Sequence, residues 1–199
     1  MKLPELGAAV PRTGNALTQW IGTSVLQAMG WQIEGNFPNL AKFVVIVAPH
    51  TSNWDFIVAM AGKLAVRLSG SWLGKHTIFF WPLGVLLRRL GGVPVNRTST
   101  HGLVEQVAEL FRARDRLVLG LSPEGTRKRV EKWRTGFYHI AVEAQVPIIP
   151  VYLDYGNKIL GIGPMFVPTG NLEKDLEEIG NYFARFEARH PELFSPPRL

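Results

Sequence analysis

Two hydrophobic rhythms alternate along this chain. Phe43-Val-Val-Ile-Val-Ala48, Leu117-Val-Leu-Gly-Leu121 and Pro147-Ile-Ile-Pro-Val-Tyr-Leu153 are short, unbroken apolar runs. Runs of this kind read as strands buried on both faces. Val93-Pro-Val-Asn-Arg97 reads as a shorter strand that ends on a cation. Between these runs, apolar residues recur three and four positions apart, which predicts helices over 54–68, 85–90, 102–113, 138–144 and 171–189. The third and last of these faces are led by Leu103, Val107, Leu110 and Phe111, and by Leu172, Leu176, Ile179, Phe183 and Phe186. Segment 70–84, crowded with glycine and aromatics, reads as a loop. Strands alternating with helices predict the α/β class: one domain over 1–199, with a largely parallel central sheet flanked by helices.

Residues 1–14 carry Pro4, Pro11 and Gly14 and read as an irregular lead-in. Asn15 is a candidate N-cap for a short amphipathic helix that ends at Met29 before Gly30. Leu17, Trp20, Ile21, Ser24, Val25, Ala28 and Met29 form its mostly apolar stripe. Two readings stay open: a helix packed on its own domain, or one embedded in a membrane interface through Trp20 and Met29. Interfacial helices usually display lysine or arginine on the polar face, and this helix carries no charge, which favours packing.

A length of 199 residues, with 46% hydrophobic residues, allows a substantial core. The absence of cysteine excludes disulfides, thiolate metal sites and thiol nucleophiles, and fits a cytosolic location. A net charge of +6 points to anionic partners. No signal-peptide core and no run of eighteen apolar residues is present, so the expectation is a soluble or membrane-surface protein.

Two polar strings follow the strands. His50-Thr-Ser-Asn-Trp-Asp55 pairs an imidazole with a carboxylate at the start of a helix. A hydroxyl nucleophile needs a proton acceptor, and a histidine is a better one when a carboxylate holds its other nitrogen. The alternative is that Asp55 only caps the helix while His50 bonds nearby backbone. Ser122-Pro-Glu-Gly-Thr-Arg127 offers a flexible Gly125, the Thr126 hydroxyl and the Arg127 guanidinium for an anion. Glu124 either accepts hydrogen bonds from a substrate's hydroxyls or holds an arginine. Lys128, Arg129, Lys132 and Arg134 add positive field or form a solvated face. A serine-hydrolase elbow is rejected at Gly120-Leu-Ser-Pro-Glu124, because Glu124 replaces the last glycine and Pro123 lacks the needed N–H. A zinc site is disfavoured by the missing cysteines and the histidine spacing.

These strings, taken in order, resemble the glycerolipid acyltransferase family of 1-acyl-glycerol-3-phosphate acyltransferases. The matching blocks are His50 to Asp55, Gly92-Val-Pro-Val-Asn-Arg97, Pro123 to Arg127 and Val146-Pro-Ile-Ile-Pro-Val151, covering about residues 30 to 155. The resemblance implies an acyltransferase-like α/β layer with His50 as general base and Asp55 as its partner. It also implies acceptor binding by Arg97, Glu124, Gly125, Thr126 and Arg127, and direct attack on acyl-CoA or acyl-carrier protein as co-substrate, with no other cofactor and no metal. The implied acceptor is a lysophospholipid such as 1-acyl-glycerol-3-phosphate, and the expected place is the inner face of the cell membrane, peripherally bound.

Family members often carry an aromatic before Pro123, where this chain has Ser122, and many have a longer hydrophobic anchor. Both departures leave room for a different acceptor, such as an amino-acid-derived lyso-lipid. Ile78-Phe-Phe-Trp-Pro-Leu83 and the 15–29 helix are candidate walls for the acyl chain or a membrane contact. A non-catalytic protein binding acyl chains or anionic lipids is the alternative from another class. Nucleic-acid binding is disfavoured, because no aromatics interleave with the basic cluster.

Overall fold

The computed structural model describes residues 1–95 and 100–194. Among these residues seven strands form one sheet: β1 (Gln32–Glu34), β2 (Lys42–Ala48), β3 (Gly70–Lys75), β4 (Gly92–Val95), β5 (Leu117–Leu121), β6 (Ile148–Asp154) and β7 (Ile159–Ile162). Their order is β1-β7-β6-β2-β5-β3-β4. Every neighbouring pair is parallel except β6 and β7, which run antiparallel. The α/β class and the largely parallel sheet are as the sequence predicts.

Among the described residues six α-helices flank the sheet: α1 (Ala16–Ala28), α2 (Asn53–Ala65), α3 (Leu83–Arg89), α4 (Thr100–Ala113), α5 (Gly136–Ala144) and α6 (Leu172–Phe183). Alternate residues of β2 point to opposite faces, as the pleat requires. Phe43 and Val45 enter the core with Leu26, Val58, Ala61 and Ala65 of α1 and α2. Val44 and Ile46 enter the other, with Val107 and Phe111 of α4, Phe137 of α5 and Phe183 of α6. Among the described residues no helix is long and apolar enough to cross a membrane.

Several expectations need correction. Asn15 caps α1 through a reciprocal pair, its side chain accepting from the Thr18 N–H and the Thr18 hydroxyl accepting from the Asn15 N–H. The apolar stripe, however, is split. Val25 and Met29 pack on the core, while Leu17 (61% exposed) and Trp20 (65%) face out. Gly22 is the reason: a Cβ there would lie 2.5 Å from the Ala61 carbonyl oxygen, so the glycine side docks tightly on α2 and turns the stripe away.

Segment 70–75 is a strand, not a loop. Its glycines hide the pattern, and pairing with β4 and β5 supplies the order that its side chains do not advertise. The last helix stops at Phe183, so the expected helix over 171–189 ends early. Residues 184–190 leave the helix to bond with the loops at the ends of β2 and β6. Leu110 lies on the exposed edge of α4, with Ala108 buried in its stead. Arg97 lies outside the described residues.

Candidate active site

Three adjacent central strands, β6, β2 and β5, run parallel and end on the same edge of the sheet. That edge, beyond the carboxyl ends of parallel strands, is where open α/β sheets place their sites. Strand β2 delivers His50 and, through the first turn of α2, Asp55. Strand β5 delivers Ser122 to Arg127, and β6 delivers Tyr155.

The chain turns sharply after His50 because two interactions favour it. Ser52 is the N-cap of α2 and accepts from the Trp54 N–H, while Asp55 reaches back to accept from the Ser52 N–H. This reciprocal cap leaves the carboxylate buried (1% exposed) and facing the turn. Its Oδ2 also accepts from the Thr51 N–H (2.7 Å) and lies 3.3 Å from His50 Nδ1. One carboxylate therefore both caps the helix and faces the imidazole. A carboxylate at Nδ1 places the imidazole proton there and leaves Nε2 as the acceptor.

Burial pushes the Asp55 carboxyl up, but hydrogen bonds from His50, the Tyr155 hydroxyl and the Ser52 N–H outweigh it and hold the group below the ordinary 3.8. Asp55 is thus ionised at neutral pH. Its contribution to stability is complete above about pH 4 and is lost as pH falls through the lowered value.

Glu124 makes a contact that neither sequence reading named. It is buried (4% exposed), and its Oε2 accepts from the backbone N–H of His50 at 2.7 Å, so it fastens the two strings together across 74 residues of sequence. Burial pushes the carboxyl from 4.5 up to about 8; the His50 N–H opposes this and the Asp55 charge adds to it. Between those values the folded chain keeps a proton that the unfolded chain has released, so stability falls as pH rises across that window. Glu124→Gln keeps an acceptor for His50 and removes the titration. The melting temperature of the variant is expected to exceed the parent's by roughly 4 °C at about pH 8.5 and to equal it at about pH 5. Parallel pH curves for the two proteins would contradict a buried protonated carboxyl.

The rest of the second string is spent partly on its own turn. Gly125 adopts φ +66° and donates its N–H to the Ser122 carbonyl (3.1 Å). Its open side is occupied by Arg134, whose backbone N–H donates to the Pro123 carbonyl. The Thr126 hydroxyl accepts from the Lys128 N–H, and Arg127 is exposed. The structure brings together His50, Asp55 and Glu124, with Gly125 next in line. Thr126 and Arg127 lie further along the turn. Sequence reasoning missed Tyr155, whose hydroxyl donates to Asp55 Oδ1 at 2.6 Å. The signal available was a polar turn, Asp154-Tyr-Gly-Asn157, at a strand end.

An apolar pocket opens between α2 and the sheet. Val45, Val47, Val118, Gly120 and Val151 line it from the three central strands, and Ala59 and Met60 from α2. Ala59 is one helical turn past Asp55 and on the same side. Lys63 also lines the cavity; its Nζ donates to the Leu90 carbonyl (2.6 Å), and burial lowers it to about 8. The expected walls, 78–83 and α1, do not line this cavity.

A family model described as Acyltransferase matches residues 31–154. The chain is 33% identical over 114 residues to 1-acyl-sn-glycerol-3-phosphate acyltransferase of Escherichia coli (strain K12), covering 54% of this chain and 45% of that one. With the protein of the same name from Haemophilus influenzae it shares 28% identity over 151 residues, 71% of this chain and 61% of the relative. The chain thus spans about half the length of the curated relatives it matches. Its fold is similar to the crystal structure of the 1-acyl-sn-glycerophosphate (LPA) acyltransferase PlsC from Thermotoga maritima, with a TM-score of 0.59 at 19% identity, over 85% of this chain and 76% of that one.

Proposed function

The chain belongs to the acyltransferase family, and from that premise we propose that it moves a fatty acyl group from a thioester to the hydroxyl of a lysophospholipid. The observation that carries the reading is the His50–Asp55 pair, Nδ1 to Oδ2 at 3.3 Å, set at the carboxyl ends of the parallel strands. Nε2 of His50 takes the proton of the acceptor hydroxyl as its oxygen attacks the thioester carbonyl. Asp55 stabilises the imidazolium that forms. Collapse of the tetrahedral intermediate expels the thiol, which takes the proton back from His50. No acyl-enzyme is needed.

The acceptor favoured is 1-acyl-glycerol-3-phosphate, as the names of the relatives suggest. Its phosphate has the exposed Arg127 and Arg134 beside the second string to meet it. The donor is acyl-CoA or acyl-carrier protein, with the acyl chain entering the cavity past Ala59. Trp20 and Leu17 of α1, with Phe80 and Trp81 (83% exposed), supply apolar surface for peripheral contact with the membrane that holds the acceptor.

The test is thiol release by purified protein from palmitoyl-CoA and palmitoyl-acyl-carrier protein. The acceptor panel contains lysophosphatidic acid, other lysophospholipids and a lyso-ornithine lipid. Release that depends on lysophosphatidic acid is expected. Tight acyl binding with no turnover on any acceptor would move the assignment to a non-catalytic lipid-binding protein. The cavity assignment has its own check. Ala59→Trp should reduce turnover of palmitoyl donors roughly tenfold or more while sparing octanoyl donors, since each excluded methylene forfeits about 0.8 kcal/mol. Equal losses for both donors would place the acyl chain elsewhere.

A further inference from the structure

Asp55 is held on both of its oxygens. Oδ2 serves the Thr51 and Ser52 N–H groups and His50, and Oδ1 serves the hydroxyl of Tyr155, a hundred residues away in sequence. Tyr155 is itself tightly held. Its ring meets Trp31 edge-on at a centroid distance of 4.8 Å, and its N–H donates to the Glu187 carbonyl (2.8 Å). The Arg189 guanidinium lies 5.8 Å from the Tyr155 ring and 5.4 Å from the ring of Trp54, next to Asp55 in the chain. One residue on, the His190 N–H donates to the Thr51 hydroxyl (3.2 Å). The segment after α6 thus grips three points around Asp55.

We propose that Tyr155 is a positioning residue for the base, and that the strap Glu187–His190 holds it there. On the acyltransferase reading above, the working base is a chain running from Arg189 through Tyr155 and Asp55 to His50. Its outer half, Tyr155 and Arg189, lies beyond the segment that matches the family model, 31–154. The reason lies in the geometry of a carboxylate. Bonds to Oδ2 alone leave the group free to swing about that oxygen; a short bond on Oδ1 fixes its plane. The negative charge then stays aimed at Nδ1 as the imidazole gains its proton. Burial, together with the hydrogen bond to Asp55 and the charge of Asp55, keeps the Tyr155 phenol well above its ordinary value, so it remains a donor throughout the neutral range. The titratable and charged groups facing the pair are His50, Glu124, Arg189 and Lys158, the last with its Nζ 5.3 Å from the Tyr155 ring.

Tyr155→Phe tests this, because the ring keeps its packing on Trp31. With palmitoyl-CoA and lysophosphatidic acid, kcat is expected to fall roughly tenfold or more while KM for both substrates stays within about twofold. Arg189→Ala should give a smaller loss, which Arg189→Lys partly restores. A second measurement does not depend on turnover. In NMR spectra at one fixed pH, the imidazole signals of His50 should shift in Tyr155→Phe, since the plane of the Asp55 carboxylate is no longer fixed on its Oδ1 side. Tyr182→Phe, at a ring that packs on Tyr152 and Phe186, should leave those signals in place. An unchanged kcat, or a kcat loss accompanied by a lower melting temperature and unmoved imidazole signals, would overturn the positioning role. A wild-type protein that turns over no donor and acceptor pair would instead sink the acyltransferase reading, and the imidazole signals alone would then decide whether Tyr155 couples to His50.

Discussion

Replacing His50 with alanine is expected to lower acceptor-dependent thiol release by roughly a hundred- to ten-thousand-fold, the range of a positioned general base. The fold should survive the change. The backbone N–H that Glu124 accepts from is retained in alanine, and the imidazole is only partly buried, with 19% of its side chain exposed. A melting temperature within a few degrees of the parent is therefore expected alongside the collapse in kcat. Binding of acyl-CoA, measured by calorimetry, should be preserved, since the apolar cavity is untouched. Loss of turnover with intact acyl binding assigns His50 to the chemical step. Undiminished turnover would remove it from the mechanism and with it the proton route described above.

Changes at Asp55 should be nearly as damaging, and two substitutions separate its two jobs. Asp55→Asn keeps the shape of the group. An oxygen can still face the Thr51 and Ser52 N–H groups, and the Tyr155 hydroxyl can turn to accept from the amide. What disappears is the charge that stabilises the imidazolium, so kcat should fall by roughly two to three orders of magnitude with little loss of stability. Asp55→Ala removes the acceptor altogether. Two N–H groups of the tight turn then lose their partner in a buried site, at about 1–3 kcal/mol each, and the reciprocal cap of α2 is broken at a cost of about 1 kcal/mol. At about 2–4 °C per kcal/mol the melting temperature should drop by roughly 10 °C. Thermal melts and kinetics on the two variants together measure this. Similar stability in both would mean that the cap is dispensable, and similar activity in Asn and parent would mean that the charge is.

The two strings were legible because each lies within six residues of chain and follows a strand visible from its composition. Strand β5 begins and ends where its apolar run does, and β2 differs by one residue. The strands that escaped notice are of another kind. β1 and β7 have three and four residues, too few to show alternation, and they are ordered by pairing with each other and with β6. β3 opens on one glycine and contains a second, Gly70 and Gly74, which mask its pattern. In α1 the periodicity was read correctly and the buried face was not, because a glycine contact with α2 set the rotation, and no hydrophobicity count contains that information.

By itself the sequence determined what depends on neighbours along the chain: the alternation of strand and helix, the cap at Asn15, and the spacing that lets Asp55 cap its helix and reach His50. Burial periodicity and capping act over a few residues, so they are written locally. Only the tertiary structure decided that β5 and β6 flank β2. That order puts Glu124 on the backbone of His50 and Tyr155 on Asp55. Strand order is chosen by the summed packing and hydrogen bonding of segments far apart in the chain. Residues that meet only through it carry no mark of their meeting in the residues around them.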